Sequence, residues 1–401
     1  MEAPGGRPPL EEQDSRSPKG VRVADVKRMN AKLVLAALRS GGPLTGPEIA
    51  ERLGVTKPTA AAALRLLAGS GLVESSGVRA GQVGRSPELW QVNAAAGTAL
   101  AVDIGPRSVT AVRAAIDGRV VARGSSAITG DSVEAVLAAL DAAIDGAFSP
   151  GAPTWTVVGV PGAVDPVTFR VSLAPNLPAL AEQQFTDGLR ARFVDSLEVQ
   201  KDVYLAARGE LEARRNESGD FLLVTVGHGI GAAQVRNGAP IVGASGFAGE
   251  IGYLPLHAHS DGREPAIDSR TAPLERAAAE EQLLRSAQDA GVAVATIDAL
   301  FAAAATDDAA RAIVRAEASL LAFGLATVVL TTNPERILLS GSVAIAGGAA
   351  FCAVVEQALG GRLPFPAPPI ALARTGPEGT LAGGLSVAIE RGWEVLARRI
   401  D

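Results

Sequence analysis

Two glycine-rich stretches offer the first chemistry in this chain. Asp103-Ile104-Gly105 closes the apolar run ALAVDIG, and Gly227-His228-Gly229-Ile230-Gly231 follows FLLVTV. A glycine loop behind a buried strand can turn successive backbone N–H groups toward one point, and so cradle a phosphate. Other chemistry-bearing residues are sparse. His257-Ala258-His259 with Asp261 has a spacing that could hold a metal, because residues two apart share a face, but solvated loop side chains are the ordinary reading of such a run. His228 stands alone, and a lone histidine is more often a surface or core residue than a catalyst. The single cysteine, Cys352, lies in the apolar helical run AAFCAVVEQAL, which excludes a disulfide within the chain and fits a buried, inert thiol in a reducing compartment.

The elements that must position these loops occur twice. After the first loop come a strand, the Asp117-Gly118 hairpin signal and another strand; after the second come a strand, Asn237-Gly238 and a strand. A helix over 131–147 and the buried strand TVVGVPG complete the first copy. The repeated scheme predicts two α/β lobes with their glycine loops facing each other across a cleft.

A different constellation precedes residue 93. LTGPEIAERLGVTKPTAAAALRLLAGSGLV, residues 44–73, reads as two short helices joined by a tight turn. Ile49 and Leu53 share a face, Gly54 stands where a left-handed residue ends a helix, and Val55 plugs the corner. Thr56 can cap the second helix by accepting from the N–H of Thr59, since Pro58 has none to offer. Ala60, Leu64 and Leu67 face inward, leaving Lys57, Ala61, Ala62 and Arg65 on the opposite face, which in a helix-turn-helix enters the DNA major groove. The pattern alone fits an ordinary helical hairpin in a core equally well. Upstream, residues 23–40 predict a support helix with Val26, Met29, Leu33 and Leu38 inward, stopped by Gly41-Gly42-Pro43. Downstream, Leu72-Val73-Glu74 and Glu88–Val92 predict two strands around the loop SSGVRAGQVGRSP, so the module reads as a winged helix. Arg79, Gln82 and Arg85 lie in the wing, and Gly84-Arg85-Ser86-Pro87 is suited to place Arg85 in a narrow minor groove.

Charge separates the two halves. Residues 21–90 carry ten Lys/Arg against five Asp/Glu, whereas the whole 401-residue chain has a net charge of −6. A basic module on an acidic body suits polyanion binding by the module alone. Residues 1–20 are rich in Pro, Gly and charge, and read as a disordered tail. With 47% hydrophobic residues the chain can bury large cores, and its length predicts two to three domains. We find no signal peptide and expect no apolar run of membrane-spanning length, so the expected location is the cytoplasm, with no membrane partner.

From about residue 21 onward the sequence resembles the ROK family (repressors, open reading frames and kinases), specifically its winged-helix sugar-responsive repressors. The collinear segments include PLTGPEIAERLGVTKPT, GRSP, AVDIG, GVPGAVD, APNLP, KDVYLAARGE, GHGIGAA, GASGFAGEIGY, PLE and GPEGTLAGGLSVAIERG. The resemblance implies an α/β chain with an N-terminal winged helix-turn-helix and a two-lobed actin-like ATPase fold, usually as a homodimer or homotetramer. It implies domains at 21–92, 93–203 (with helix 386–401 returning to it) and 204–385.

Carried over residue by residue, the family's pattern is altered here. In its kinases the first loop holds a small residue and Thr beside the nucleotide phosphates; here Pro106 and Arg107 stand there, and Pro removes an N–H donor. His228 replaces the hydroxyl of the second loop, and the glycine pair near the adenosine reads Ser340-Gly341-Ser342. In the sugar site Asn-Asp becomes Lys201-Asp202, with Asp202 at the position of the kinase base, while Asn176, Glu250 and Glu275 are retained and a His becomes Tyr253. The zinc cysteines are replaced by Ala266, Asp268 and Pro273, leaving no soft ligand, so no metal and no cofactor are expected.

The expected function is a sequence-specific DNA-binding regulator with a catalytically silent body. DNA contacts are expected from Thr45, Thr56, Lys57, Thr59, Ala61, Ala62, Arg65, Arg79, Gln82 and Arg85, on an inverted repeat with an A·T-rich element. A ligand site is expected from Asn176, Lys201, Asp202, Glu250, Tyr253 and Glu275. Its occupant would be a sugar-derived or anionic effector drawn by Lys201, unless Lys201 and the acids close the site on themselves. A sugar kinase with an appended DNA module, and a regulator whose body only binds a protein partner, are the alternatives.

Overall fold

A computed structural model describes residues 23–78, 87–215, 217, 219–256 and 272–400. The described chain divides at Asn93/Ala94 into two compact units, with the last residues, from Ala397, grouped with the first.

The first unit runs α1 (Val23–Gly41), β1 (Leu44–Thr45), α2 (Gly46–Leu53), α3 (Lys57–Gly69), β2 (Val73–Val78) and β3 (Glu88–Val92). The corner between α2 and α3 forms as its residues dictate: Gly54 adopts φ 65°, ψ 28°, and the N–H of Val55 donates to Ala50 O at 3.0 Å. Ala60, Leu64 and Leu67 are buried, joined by Ala63. The sheet has the order β1-β3-β2, with β2 and β3 antiparallel as the two arms of the wing. The register of α1 differs from the sequence expectation. Leu38 is buried, but Val26, Met29 and Leu33 are exposed, Met29 by 55%, and the inward face is Ala31, Val34, Leu35, Ala37 and Leu38. Packing on α2 and α3 selects this face.

The second unit contains β4 (Thr98–Ile104), β5 (Ser108–Ala115), β6 (Val120–Ala127), α4 (Val133–Gly146), β7 (Trp155–Val160), β8 (Ala163–Val164), β9 (Val171–Ser172), α5 (Gln183–Arg192), β10 (Leu197–Lys201) and α6 (Asp202–Ala213). There follow β11 (Phe221–Val226), β12 (Ile230–Arg236), β13 (Ala239–Pro240), α7 (Pro273–Ala278), α8 (Glu280–Asp289), α9 (Ile297–Ala303), α10 (Asp308–Thr332), β14 (Arg336–Ser340), α11 (Ser342–Gly360), β15 (Ile370–Leu372) and α12 (Gly379–Ala397).

Its two five-stranded sheets repeat one topology: β6-β5-β4-β7-β10 and β13-β12-β11-β14-β15. In each, the strand before the glycine loop pairs antiparallel with its hairpin and parallel with the next strand of the order. Alternation along β4 sends Leu100, Val102 and Ile104 into the core with α4 and α5, and Ala99 and Ala101 toward α12. The helix α6 meets the first sheet through Leu205 and the second through Val203, Tyr204 and Ala207. Its crossing with α12 is so close that a Cβ on Gly383 would lie 1.8 Å from Leu205 O, so only glycine fits there.

Contrary to the sequence expectation, α10 and α11 are both long and apolar enough to cross a membrane. They pack instead on each other and on the second sheet, burying Leu321, Leu325, Val329, Phe351, Cys352 and Val355 in one core, which is why an alanine-rich helix of this length passes a hydropathy test.

Candidate functional site

On the first unit, α3 presents the expected face. Thr56 caps it in an extended conformation and accepts from the N–H of Thr59 at 3.3 Å, while the two hydroxyls lie 2.8 Å apart. Lys57 and Arg65 are exposed, and Ala61 and Ala62 are half-buried beside them. A cation at each end of two alanines can hold phosphates, with only methyl contact available to base edges between them.

Thr45 is a correction. It is 2% exposed and belongs to a capping box: its N–H and its hydroxyl donate to Glu48 Oε2 at 2.8 and 2.9 Å, and the N–H of Glu48 donates back to its Oγ1 at 3.4 Å. The Thr-x-x-Glu spacing marks this role in the sequence, so Thr45 orients α2 rather than meeting DNA. Arg79, Gln82 and Arg85 of the wing lie outside the described residues, as do His257, His259, Asp261, Ala266 and Asp268.

On the second unit, a cavity of about 380 Å³ opens where strands of both sheets end. The ends of β4, β7 and β10 supply Asp103, Gly105, Pro106, Gly162, Lys201 and Asp202; those of β11 and β14 supply Gly227, His228, Gly341 and Ser342. Ligands of open α/β sheets bind beyond the carboxyl ends of the strands for this reason: loops converge there and backbone N–H groups point outward. All six residues expected in the ligand site, Asn176, Lys201, Asp202, Glu250, Tyr253 and Glu275, line this one cavity.

Their polar contacts are mostly internal. Lys201 ends β10 and is 4% exposed; its Nζ lies 2.6 Å from Glu250 Oε1 and 5.6 Å from the centre of the Tyr204 ring. Tyr204 in turn donates to Ala248 O at 2.5 Å, tying α6 to the loop that carries Glu250. Asp202, first in α6, accepts from the N–H of Val203 at 2.6 Å. Burial pushes its carboxyl up to about 6, against the pull of Lys201. Glu275, in the first turn of α7, accepts from the N–H of Ile230 at 2.8 Å, and burial raises its pKa as well. Asn176 Nδ2 is 3.5 Å from His228 O.

Three further residues shape the cavity: Asp103 and Gly341 lie in the glycine motifs, and Glu280 in none. Asp103 sits in the cavity wall, and burial, then the charges of Asp202 and Glu378, push its carboxyl up to about 7. A charged residue in the last turn of a buried strand was the available signal. Glu280 opens α8; its carboxylate accepts from Ser342 Oγ at the start of α11 and lies 3.8 Å from His228 Nδ1. A carboxylate therefore already stands at the N-terminus of α11, where the helix would otherwise favour an anionic ligand. Gly341 must remain glycine, since it adopts φ 88° and a Cβ would lie 2.4 Å from Val226 O.

The arrangement is thus two β-sheet lobes of one topology around an acid-lined cleft, and comparison with known proteins gives this a family. The ROK family model matches residues 99–390. The chain belongs to the ROK family. Residues 24–85 match the MarR family model, which covers the first unit.

The xylose repressor of Bacillus spizizenii is 23% identical over 79% of this chain and 83% of its own length. Against another xylose repressor, that of Caldicellulosiruptor bescii, the match spans 61% of that protein's length. Among solved structures, a ROK family transcriptional regulator, a homologue of the E. coli MLC protein, superposes with a TM-score of 0.70 at 19% identity, over 94% of this chain and 99% of that one. A Streptomyces griseus glucokinase solved with glucose and AMPPNP superposes at 0.63 and 22% identity, over 73% of this chain and 100% of that one. The fold is that of a winged helix joined to a ROK body, a body that regulators and kinases share.

Proposed function

We propose that this ROK protein is a DNA-binding transcriptional repressor whose body does not transfer phosphate. The observation that carries the reading is the exposed Lys57 and Arg65 face of a capped α3 in a winged helix. Residues 21–92 bind the operator, with Thr56, Thr59, Ala61 and Ala62 completing the groove surface and the wing residues Arg79, Gln82 and Arg85 adding to it. Residues 93–401 form the body as two lobes, 93–203 with the C-terminal helix and 204–385. It assembles as a homodimer or homotetramer in the cytoplasm, reads an inverted repeat with an A·T-rich element, and senses a sugar-derived effector in the cleft. Relatives named as xylose repressors support the repressor reading.

Selection from a random-sequence DNA library followed by mobility shifts tests it. Affinity should fall steeply between 50 and 200 mM salt, and Lys57→Ala and Arg65→Ala should each reduce the salt slope by about 1. Absence of any enriched sequence, with slopes unchanged in both variants, overturns the reading.

Pro106 in the first loop and Glu280, held against Ser342 at the start of α11, support a silent body, because a transferring phosphoryl group needs donors there and meets a missing N–H and a carboxylate. A second reading, a sugar kinase with a DNA module, rests on Asp202, whose pKa of about 6 would suit a general base. Saturable ATP-dependent phosphorylation of a hexose, lost in Asp202→Ala, would establish it.

A further inference from the structure

Among the described residues that line the cleft the charges do not balance, and the imbalance has a sign. Lys201 is buried against Glu250 at 2.6 Å, so the cation that the sequence offers to an anionic ligand is already neutralised. Asp103, Asp202 and Glu275 line the same cavity, and among the described residues none of the three forms an ion pair. The N–H groups of Val203 and Ile230 serve Asp202 and Glu275, whereas among the described residues no side-chain hydrogen bond engages Asp103.

We propose that the cleft binds a polyol bearing a protonated amine, its ammonium received between Asp103 and Asp202 and its hydroxyls by Glu275 and Asn176. This rests on the reading of the body as an effector-sensing module. A carboxylate in a cavity wall is costly unless it is protonated or meets a cation, and an ammonium would meet two at once. An anionic ligand would instead face these acids, and among the described residues that line the cavity the one Lys or Arg, Lys201, is already engaged by Glu250. A neutral sugar would meet a Glu250 whose Oε1 is already held by Lys201.

The groups that face each acid set the pH dependence. Asp103 is faced by Asp202 on α6 and by Glu378 just ahead of α12, the latter paired with Arg123 of β6 at 2.8 Å. Asp202 is faced by Asp103, Lys201 and Glu250, and Glu275 by Glu250 and Lys201. Burial holds Asp103 and Asp202 up to about 7 and about 6, so both lose their protons between pH 5 and 8 and affinity for an amine rises across that range.

The test is titration calorimetry on the full-length protein at pH 7 with sugars that differ in charge on one ring. Glucosamine and 6-amino-6-deoxyglucose form the amine arm, glucose the neutral arm, and glucuronate and glucose 6-phosphate the anionic arm. We expect at least one amine to bind tenfold or more tightly than glucose, the anions not to bind, and Asp103→Asn to reduce the amine-to-glucose ratio toward 1. Should Asp103→Asn fail to fold, Glu275→Gln and the wild-type pH series serve the same purpose, since amine affinity must rise from pH 5 to pH 7. An anion that binds best, equal affinity for amine and glucose, or silence across the panel overturns the proposal. Mobility shifts on the same preparation separate the two readings: DNA binding retained without amine preference removes only this inference, and loss of DNA binding removes the repressor reading beneath it.

Discussion

Asp103→Asn should stabilise the protein, and more so as the pH rises. In the folded protein the carboxyl is pushed from 3.8 up to about 7, so the folded state holds a proton that the unfolded state has released. Stability is therefore full below the unfolded value and is lost as pH rises from about 4 to about 7. At 1.36 kcal/mol per pH unit the loss above both values is on the order of 4 kcal/mol, of which about 3 kcal/mol falls between pH 5 and pH 8. The amide has the same shape and does not titrate, so its advantage over the wild type should widen by about that amount over this range. For a unit of this size that is about 5 °C in the melting temperature of the body. Calorimetric scans of full-length wild type and variant at pH 5, 6, 7 and 8 read it directly. A melting-temperature gap that stays constant with pH, or narrows as pH rises, would refute the reasoning, because it would mean that Asp103 is ionised at little cost in the folded cleft.

Two further outcomes follow from the contacts around Thr45 and Lys201. Thr45→Ala removes the capping box of α2 and should destabilise the winged helix by about 1–2 kcal/mol, lowering DNA affinity while leaving the salt slope as in the wild type; a slope reduced by one contact would return Thr45 to the phosphate backbone. Glu250→Gln strands a buried ammonium and Lys201→Met strands Glu250 beside two further acids, so each should cost about 3–5 kcal/mol in denaturant melts, whereas the double variant should recover most of that loss; a double variant whose cost is the sum of the two would show that the residues do not rely on each other.

What could be read from the sequence was what neighbouring residues decide. Asp117-Gly118, Asn237-Gly238 and the glycines after ALAVDI and FLLVTV are local signals, and they locate both hairpins and both loops. Thr56, Pro58 and Gly54 likewise mark the corner of the helix-turn-helix. The choice of face on α1 was not legible, because in a chain so rich in alanine several helical stripes are equally apolar and the packing partners decide among them. The pairing of Lys201 with Glu250 joins residues 49 apart through the end of β10 and a short turn, so no spacing rule exposes it. Glu280 escaped for a similar reason: its role depends on Ser342, which is 62 residues away.

That long-range pairing also changes what Lys201 means. As a sequence substitution, lysine for a neutral amide reads as a new attraction for anions. In the folded cleft it does the reverse, since the ammonium neutralises Glu250 and leaves the remaining wall acidic. The carboxyls of Asp103 and Asp202 are then held near neutral pKa values in a protein whose whole stability is expected to be on the order of 5–15 kcal/mol. An apolar filling of the cavity would avoid that penalty and would close the cleft. The open, acid-lined cavity is therefore a strained resting state that a cation can relax. Any difference in the affinity of that cation for two arrangements of the lobes would shift the balance between them by the same free energy.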